Sequence, residues 1–331
     1  MVVTVASVSG CNLIVKTPQG IANSPVAKVN DDTITKAQLD ARMAPEIAQL
    51  KSQYGNDYAS NSQVATQLKT DKASMVTQME NELLTTQYAK SKNLIPSDTE
   101  LNKEITTQYN SYESSYQTQA SSSGSAATSW SDYLKQNGYT VDMLKDQIKT
   151  NIITNKVVDY LTKNTKITDK QIQDYYNQNP ENYTTTPNTF DFAHILVKTQ
   201  AEAEQIKAEL DKGADFATEA KKDSTDTGSS ANGGDLGSMS YTDAQSQLDP
   251  TFLAAAVKLK QGEISNPVQT QFGWHIIKCI SRTNNPLKPL DATLKKSISD
   301  TLLQNAKQTA YNNSVKSWKN AAKIKEYPQN E

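Results

Sequence analysis

The only two histidines in this 331-residue chain lie in two stretches that read as β-strands, and the segment they bracket constrains everything around it. The segment opens with Phe190-Asp191-Phe192-Ala193-His194-Ile195-Leu196-Val197. It closes with Asn266-Pro267-Val268-Gln269-Thr270-Gln271-Phe272-Gly273-Trp274-His275-Ile276-Ile277. Both pieces are rich in β-branched and aromatic residues and are bounded by turn formers, the signature of strands. Between them come a helical segment, a Gly-Gly-Asp-Leu-Gly turn from Gly233 to Gly237, and a second helical segment.

The rest of the chain is polar. Only 36% of residues are hydrophobic, and the formal charge of −2 at a pI near 5.9 leaves no basic face for nucleic acid. Cys279 lies in the apolar run Ile276 to Ile280 and reads as a small buried hydrophobe, not as a disulfide partner of distant Cys11. Cys11 has a different setting. Val8-Ser9-Gly10-Cys11 resembles the bacterial lipobox, whose cysteine takes a diacylglyceryl group and becomes the mature N-terminus. No Lys or Arg precedes it and the apolar run is short for a signal peptide, so a chance cysteine at a weakly apolar terminus is the competing reading. No other segment approaches the roughly 20 apolar residues of a membrane span.

Taken in order, residues 1–24 read as a signal remnant and tether. A tight hairpin follows, with Val26 to Val29 and Thr33-Ile34 as its strands. Thr35 and Gln38 form a capping box for the next helix, Ser97 and Glu100 a second, and Thr168 and Gln171 a third. Apolar spacing predicts a helix from about Lys72 to Lys90, with Met75 and Met79 on the Leu83 face and therefore packed in a core. Residues 110–131 are low in complexity and read as a loop or helix-hairpin tip. Thr140 caps a long helix bearing Val141, Leu144, Ile148, Ile152, Val157 and Leu161. Thr184 to Pro187 reads as a linker into the central segment and Asn284 to Pro289 as the linker out. A helix through Leu294, Ile298 and Leu302 and a closing strand at Lys323-Ile324-Lys325 end the chain.

The central segment resembles the parvulin family of peptidyl-prolyl isomerases, and the chain as a whole is similar to extracytoplasmic foldase lipoproteins of the PrsA type. The motifs that carry the first likeness are the two strand histidines and Gly233-Gly234-Asp235-Leu236-Gly237. The resemblance implies an α+β fold. A parvulin-type domain over 187–284, a four-stranded antiparallel sheet with surrounding helices, is inserted into a mainly helical chaperone domain. That helical domain is formed by an N-terminal arm (25–186) and a C-terminal arm (285–331). It implies isomerisation of X-Pro bonds in unfolded or partly folded secreted proteins, a membrane attachment through lipid on Cys11, and no cofactor. It leaves room for a homodimer.

The chemistry needs no nucleophile and no metal. An X-Pro amide rotates over a barrier of roughly 18–20 kcal/mol because its C–N bond is partly double. Lowering that barrier takes a dry pocket for the proline ring and polar groups that favour the twisted amide. The resemblance places His194 and His275 on adjacent strands, hydrogen-bonded to one another, with the Thr270 hydroxyl sharing in the network. It assigns Leu236, Leu248 and Phe252 to the proline pocket and Phe272 to its border. The family carries a cysteine or aspartate eight residues before the turn aspartate. Thr227 stands there and Asp226 one step earlier, so a one-residue insertion between Thr227 and Asn232 would restore Asp226.

Other readings of these residues are weaker. Paired histidines can bind metal, but no third ligand at metal spacing accompanies them. The glycine turn lacks the Lys-Ser/Thr of a phosphate loop. No hydrolase motif is present. A rival from another class remains: a non-catalytic holdase whose isomerase domain has lost activity, since Met239 stands where an aromatic is common and the segment from Met239 to Phe252 is long.

Overall fold

The structure, a computed structural model, describes residues 17–122 and 128–331. In chain order it contains α1 (Pro18–Ala22), β1 (Pro25–Val29), β2 (Asp32–Thr35), α2 (Lys36–Tyr54), α3 (Ser62–Ser91), α4 (Asp98–Ser122), α5 (Trp130–Gln136) and α6 (Val141–Thr162). Then follow α7 (Asp169–Gln178), β3 (Thr189–Val197), α8 (Gln200–Asp211), α9 (Phe216–Asp223), β4 (Asp235–Ser240), α10 (Tyr241–Gln247), α11 (Pro250–Ala256), β5 (Val268–Thr270), β6 (Gly273–Arg282), α12 (Ala292–Ala321) and β7 (Ile324–Glu326). The chain divides into two compact units, one of residues up to Lys166 with Leu303–Glu331, the other Ile167–Leu302.

In the first unit, β1 is the middle of a three-stranded sheet, paired antiparallel with β2 and with the C-terminal β7. Val26, Ala27 and Val29 are fully buried, joined by Ile34, Leu39, Met43 and Val76. Met75 and Met79 pack against this cluster, as their spacing beside Leu83 predicts. The capping boxes form as read: Thr35 Oγ1 accepts from the Gln38 amide, and the Gln38 side chain accepts from the Thr35 amide at 2.8 Å. Ser97 and Glu100 make the same exchange at the start of α4.

One sequence expectation in this unit needs correction and a second is narrowed. Helix α3 starts at Ser62, well ahead of Lys72, because Asn61 caps it by accepting from the Gln63 and Val64 amides. Residues 110–122 complete helix α4, which excludes the loop and agrees with the helix-hairpin alternative. Half-buried Tyr116 packs on Trp130 and Tyr133 with centroids 5.3 and 4.5 Å apart, and Tyr109, earlier on the same helix, meets Trp130 edge-on. Serine and threonine are weak helix formers, and tertiary packing of those rings outweighs them.

The second unit holds a four-stranded antiparallel sheet in the order β4-β3-β6-β5. Strand β3 is central and covered on both faces. Phe190 and Phe192 point to one side, into a core with Ile277, Cys279, Phe252, Leu253 and Ala256. Ala193, Ile195 and Val197 point to the other, against Ala203, Ile206, Leu210 of α8 and Phe216, Ala220 of α9. This two-residue alternation puts His194 on the Phe190–Phe192 side. The closing stretch 266–277 is two strands, not one. The chain reverses at Gln271-Phe272, where Gly273 takes φ +137° and a Cβ would press into the Val197 carbonyl.

The two linkers are ordered and pair with each other. Thr184 bridges to Leu287, the Thr185 amide donates to Pro286 O at 2.8 Å, and the Lys288 amide donates to Tyr183 O at 2.7 Å. Beyond them, Ile172 and Tyr176 of α7 enclose Ile298 of α12. The compact unit is therefore wider than the 187–284 span, because the flanking residues bury apolar surface and backbone polar groups against one another.

Candidate functional site

The histidines meet because of strand register. His194 stands opposite Ile277 and His275 opposite Leu196, so the two are diagonal neighbours on one face of the β3–β6 pair. Their rings stack with centroids 5.3 Å apart, and the two Nδ1 atoms lie 3.1 Å apart. Both are buried. The ring of Phe252, from α11, presents itself edge-on to each, at 5.7 Å from His194 and 5.3 Å from His275.

From this pair a row of hydrogen bonds runs in both directions. Thr270 Oγ1 lies 2.8 Å from His275 Nε2 and accepts from the Phe272 amide at 3.1 Å. At the other end, Asp226 Oδ2 lies 2.8 Å from His194 Nε2. Asp226 also accepts from Ser229 Oγ at 2.5 Å and from the Gly228 amide at 3.1 Å. These donors hold its carboxyl down at about 2, the Ser229 bond first among them. Burial, and then the neighbouring His194, push His275 down to about 4. His275 is thus neutral at physiological pH and Asp226 ionised. An ionised Asp226 can only accept, so His194 Nε2 faces it as the donor, and neutral His275 has one ring hydrogen for its two contacts, to His194 Nδ1 and to Thr270 Oγ1.

Local structure fixes each member. The loop carrying Asp226 is tied to β3, with the Thr225 amide donating to Leu196 O at 2.7 Å and the Leu196 amide to Ser224 Oγ at 3.1 Å. The Gly233-Gly234 turn sits on β3 as well, the His194 amide donating to Gly234 O at 2.8 Å. Gly234 has φ +83°, and a Cβ there would run into the His194 carbonyl oxygen. Only glycine lets the turn approach so closely.

Of the residues singled out from sequence, the structure brings His194, Asp226, Thr270 and His275 into one row and sets Phe252 against it. Leu236 and Leu248 are half-buried against the Phe252 cluster. Phe272 does not pack there: it is 65% exposed at the β5–β6 turn, touching the row only through its amide. Thr227 is exposed and takes no part in the row. Cys11 lies outside the described residues. Ser229, buried beside Asp226 and 3.2 Å from His194 Nε2, was not legible in advance. Its only sequence signal is a serine three residues after the aspartate. Among the described residues no helix is long and apolar enough to cross a membrane, and no group of three or more His, Cys, Asp or Glu is placed to hold a metal ion.

Residues 167–295 match the model of the PPIC-type PPIase domain, and residues 1–158 that of the SurA-like N-terminal domain. The foldase protein PrsA of Clostridium botulinum (strain 657 / Type Ba4) is 40% identical over 324 residues, spanning 97% of this chain and 94% of that protein. This chain belongs to the PrsA foldase family. PrsA of Clostridium acetobutylicum is 37% identical over 325 residues, spanning 98% and 94%. Among solved structures, PrsA of Bacillus anthracis aligns at 30% identity over 74% of this chain and 95% of that one, with a TM-score of 0.39. The stretch of this chain that matches the PPIC-type PPIase domain, residues 167–295, contains the whole row from Thr270 to Asp226.

Proposed function

We propose that the second unit isomerises X-Pro bonds of unfolded secreted proteins through the row Thr270–His275–His194–Asp226. Leu236, Leu248 and Phe252 receive the proline ring, and Phe272 stands at the rim. The unbroken row against the edge of Phe252 carries this reading. An apolar ring beside a fixed polar line suits an amide that loses conjugation as it twists, because its nitrogen then becomes a better hydrogen-bond acceptor. Asp226 already accepts three hydrogen bonds, so it acts as a fixed anion and not as a nucleophile. The holdase alternative draws no support, since every polar position of the row is filled. Isomerisation of an Ala-Pro peptide by the full chain, followed by exchange NMR, tests the assignment: no rate above the uncatalysed one would refute it.

The first unit serves as a chaperone cradle for the same clients, a role supported by its match to the SurA-like domain. The protein works on the extracytoplasmic face of the membrane, held by lipid on Cys11. One acyl chain binds only marginally, at about 10⁴ M⁻¹, and two anchor stably. Cys11→Ala should move the protein from the membrane fraction to the soluble one. Unlipidated, fully soluble wild type in the native host would contradict the anchor. A homodimer completes the reading, and sedimentation of the full chain tests it.

A further inference from the structure

We propose that Ser229 is a positioning residue that fixes which ring nitrogen of His194 carries the hydrogen, and with it the direction of the whole row. The inference rests on the role given above to Asp226 and the two histidines. Ser229 is only 4% exposed, with Oγ at 2.5 Å from Asp226 Oδ2 and 3.2 Å from His194 Nε2.

A hydroxyl has one proton to give. The short contact to an ionised carboxylate takes it, since a charge-assisted O–H···O⁻ bond of this length is about twice as strong as a neutral one. What Ser229 then turns toward His194 is lone pairs alone. Asp226 Oδ2 and Ser229 Oγ thus converge on Nε2 as two acceptors, and a bare Nε2 would face electron pairs on both. Nε2 must carry the hydrogen. With the hydrogen on Nε2, His194 presents Nδ1 to accept from His275 Nδ1–H, and His275 in turn presents a bare Nε2 to the Thr270 hydroxyl. Asp226 by itself is a weaker selector. Its side chain is 29% exposed, and without Ser229 its Oδ2 is free to turn toward water.

The side chain of Ser229 can be removed without opening the loop. Its carbonyl accepts from the Asn232 and Gly234 amides, each at 2.9 Å, and these bonds are made by backbone alone.

The sequence makes the test direct, because the chain holds only two histidines. In full-length protein labelled with ¹⁵N-histidine, two-bond ¹H–¹⁵N correlations report the tautomer of each ring at neutral pH. Wild type should show His194 as the Nε2–H form and His275 as the Nδ1–H form. Ser229→Ala should turn His194 into a mixture of tautomers, and Ser229→Thr, which keeps the hydroxyl, should restore the single form. A merely structural serine would move melting temperature and not this signature. If Ser229→Ala fails to fold, Ser229→Cys keeps the size with a weaker donor and should shift the population the same way by less. A pure Nε2–H His194 in the folded Ala or Cys variant overturns the proposal. Wild type with the hydrogen on His194 Nδ1 contradicts the underlying row, and the proposal with it.

Discussion

Arg282, the last residue of β6, donates through Nη2 to Glu181 Oε1 at 2.7 Å, and both side chains are largely buried. The guanidinium also donates to the Val257 and Leu259 carbonyls at 2.7 and 2.9 Å, and it lies 5.0 Å over the Phe190 ring. Glu181 Oε2 accepts from the Asn188 amide group at 2.6 Å. The pair fastens the turn at Pro180–Tyr183 to the sheet that carries the histidines.

A fragment cut to 187–284 loses Glu181 and keeps Arg282 buried without its partner. Breaking such a pair costs about 3–5 kcal/mol, so the fragment 167–302 should melt well above it. Glu181→Ala in the full chain should show the same loss in urea titration, and indistinguishable melting of the two fragments would contradict the assignment.

The acid side of the stability curve should carry the mark of His275. Its folded value is about 4 against an ordinary 6.5, so between those values the unfolded chain binds more protons than the folded one. Stability contributed by neutral His275 is therefore present above pH 6.5 and lost as pH falls toward 4. The total is on the order of 3 kcal/mol. Asp226, held at about 2 against 3.8, adds stability above 3.8 that is lost between those values. Urea midpoints across pH 4–7 should slope for wild type and flatten for His275→Gln. Equal slopes would rule this cause out.

The first unit contains a buried charge of another kind. Glu80 of α3 is fully buried, its carboxylate oxygens make no hydrogen bond, and Lys319 Nζ stands 3.4 Å away. Burial raises its pKa above the usual carboxylate value, with Lys319 opposing and Glu326 adding to the shift. A carboxyl whose folded pKa is raised contributes stability below the unfolded value and loses it as pH rises. Glu80→Gln should therefore raise the melting temperature at pH 7 and do little at pH 4. Destabilisation at both pH values would show that the ion pair with Lys319 outweighs burial.

What could be read in advance follows a physical division. Capping boxes such as Thr35–Gln38 span three residues and are written in the sequence. The residues alone made legible the two apolar strands that carry His194 and His275. The facing of the two rings came from the resemblance to the parvulin family, because alternation within a strand does not say which strands pair. Helix α4 beyond residue 110 read as either a loop or a helix-hairpin tip because the ring that packs there, Tyr116, is only half-buried and is a residue that apolar periodicity discounts. The split at Gln271-Phe272 was missed because the β-rich run masked a two-residue turn. Ser229 and the Glu181–Arg282 pair depend on where loops land in space, and no local signal announces that.

The central claim is that Asp226, and not Thr227, terminates the row that twists the amide. The most direct test is the isomerisation rate of an X-Pro peptide by full-length wild type, Asp226→Ala and Thr227→Ala, with melting curves run beside them. Thr227 is exposed and outside the row, so Thr227→Ala should leave stability within roughly 0.5 kcal/mol. Asp226→Ala removes three hydrogen bonds, and its rate is read only where its melting curve shows it folded. Asp226→Ala should slow isomerisation strongly while Thr227→Ala keeps the wild-type rate. An unchanged rate in folded Asp226→Ala, or a loss confined to Thr227→Ala, would contradict the account.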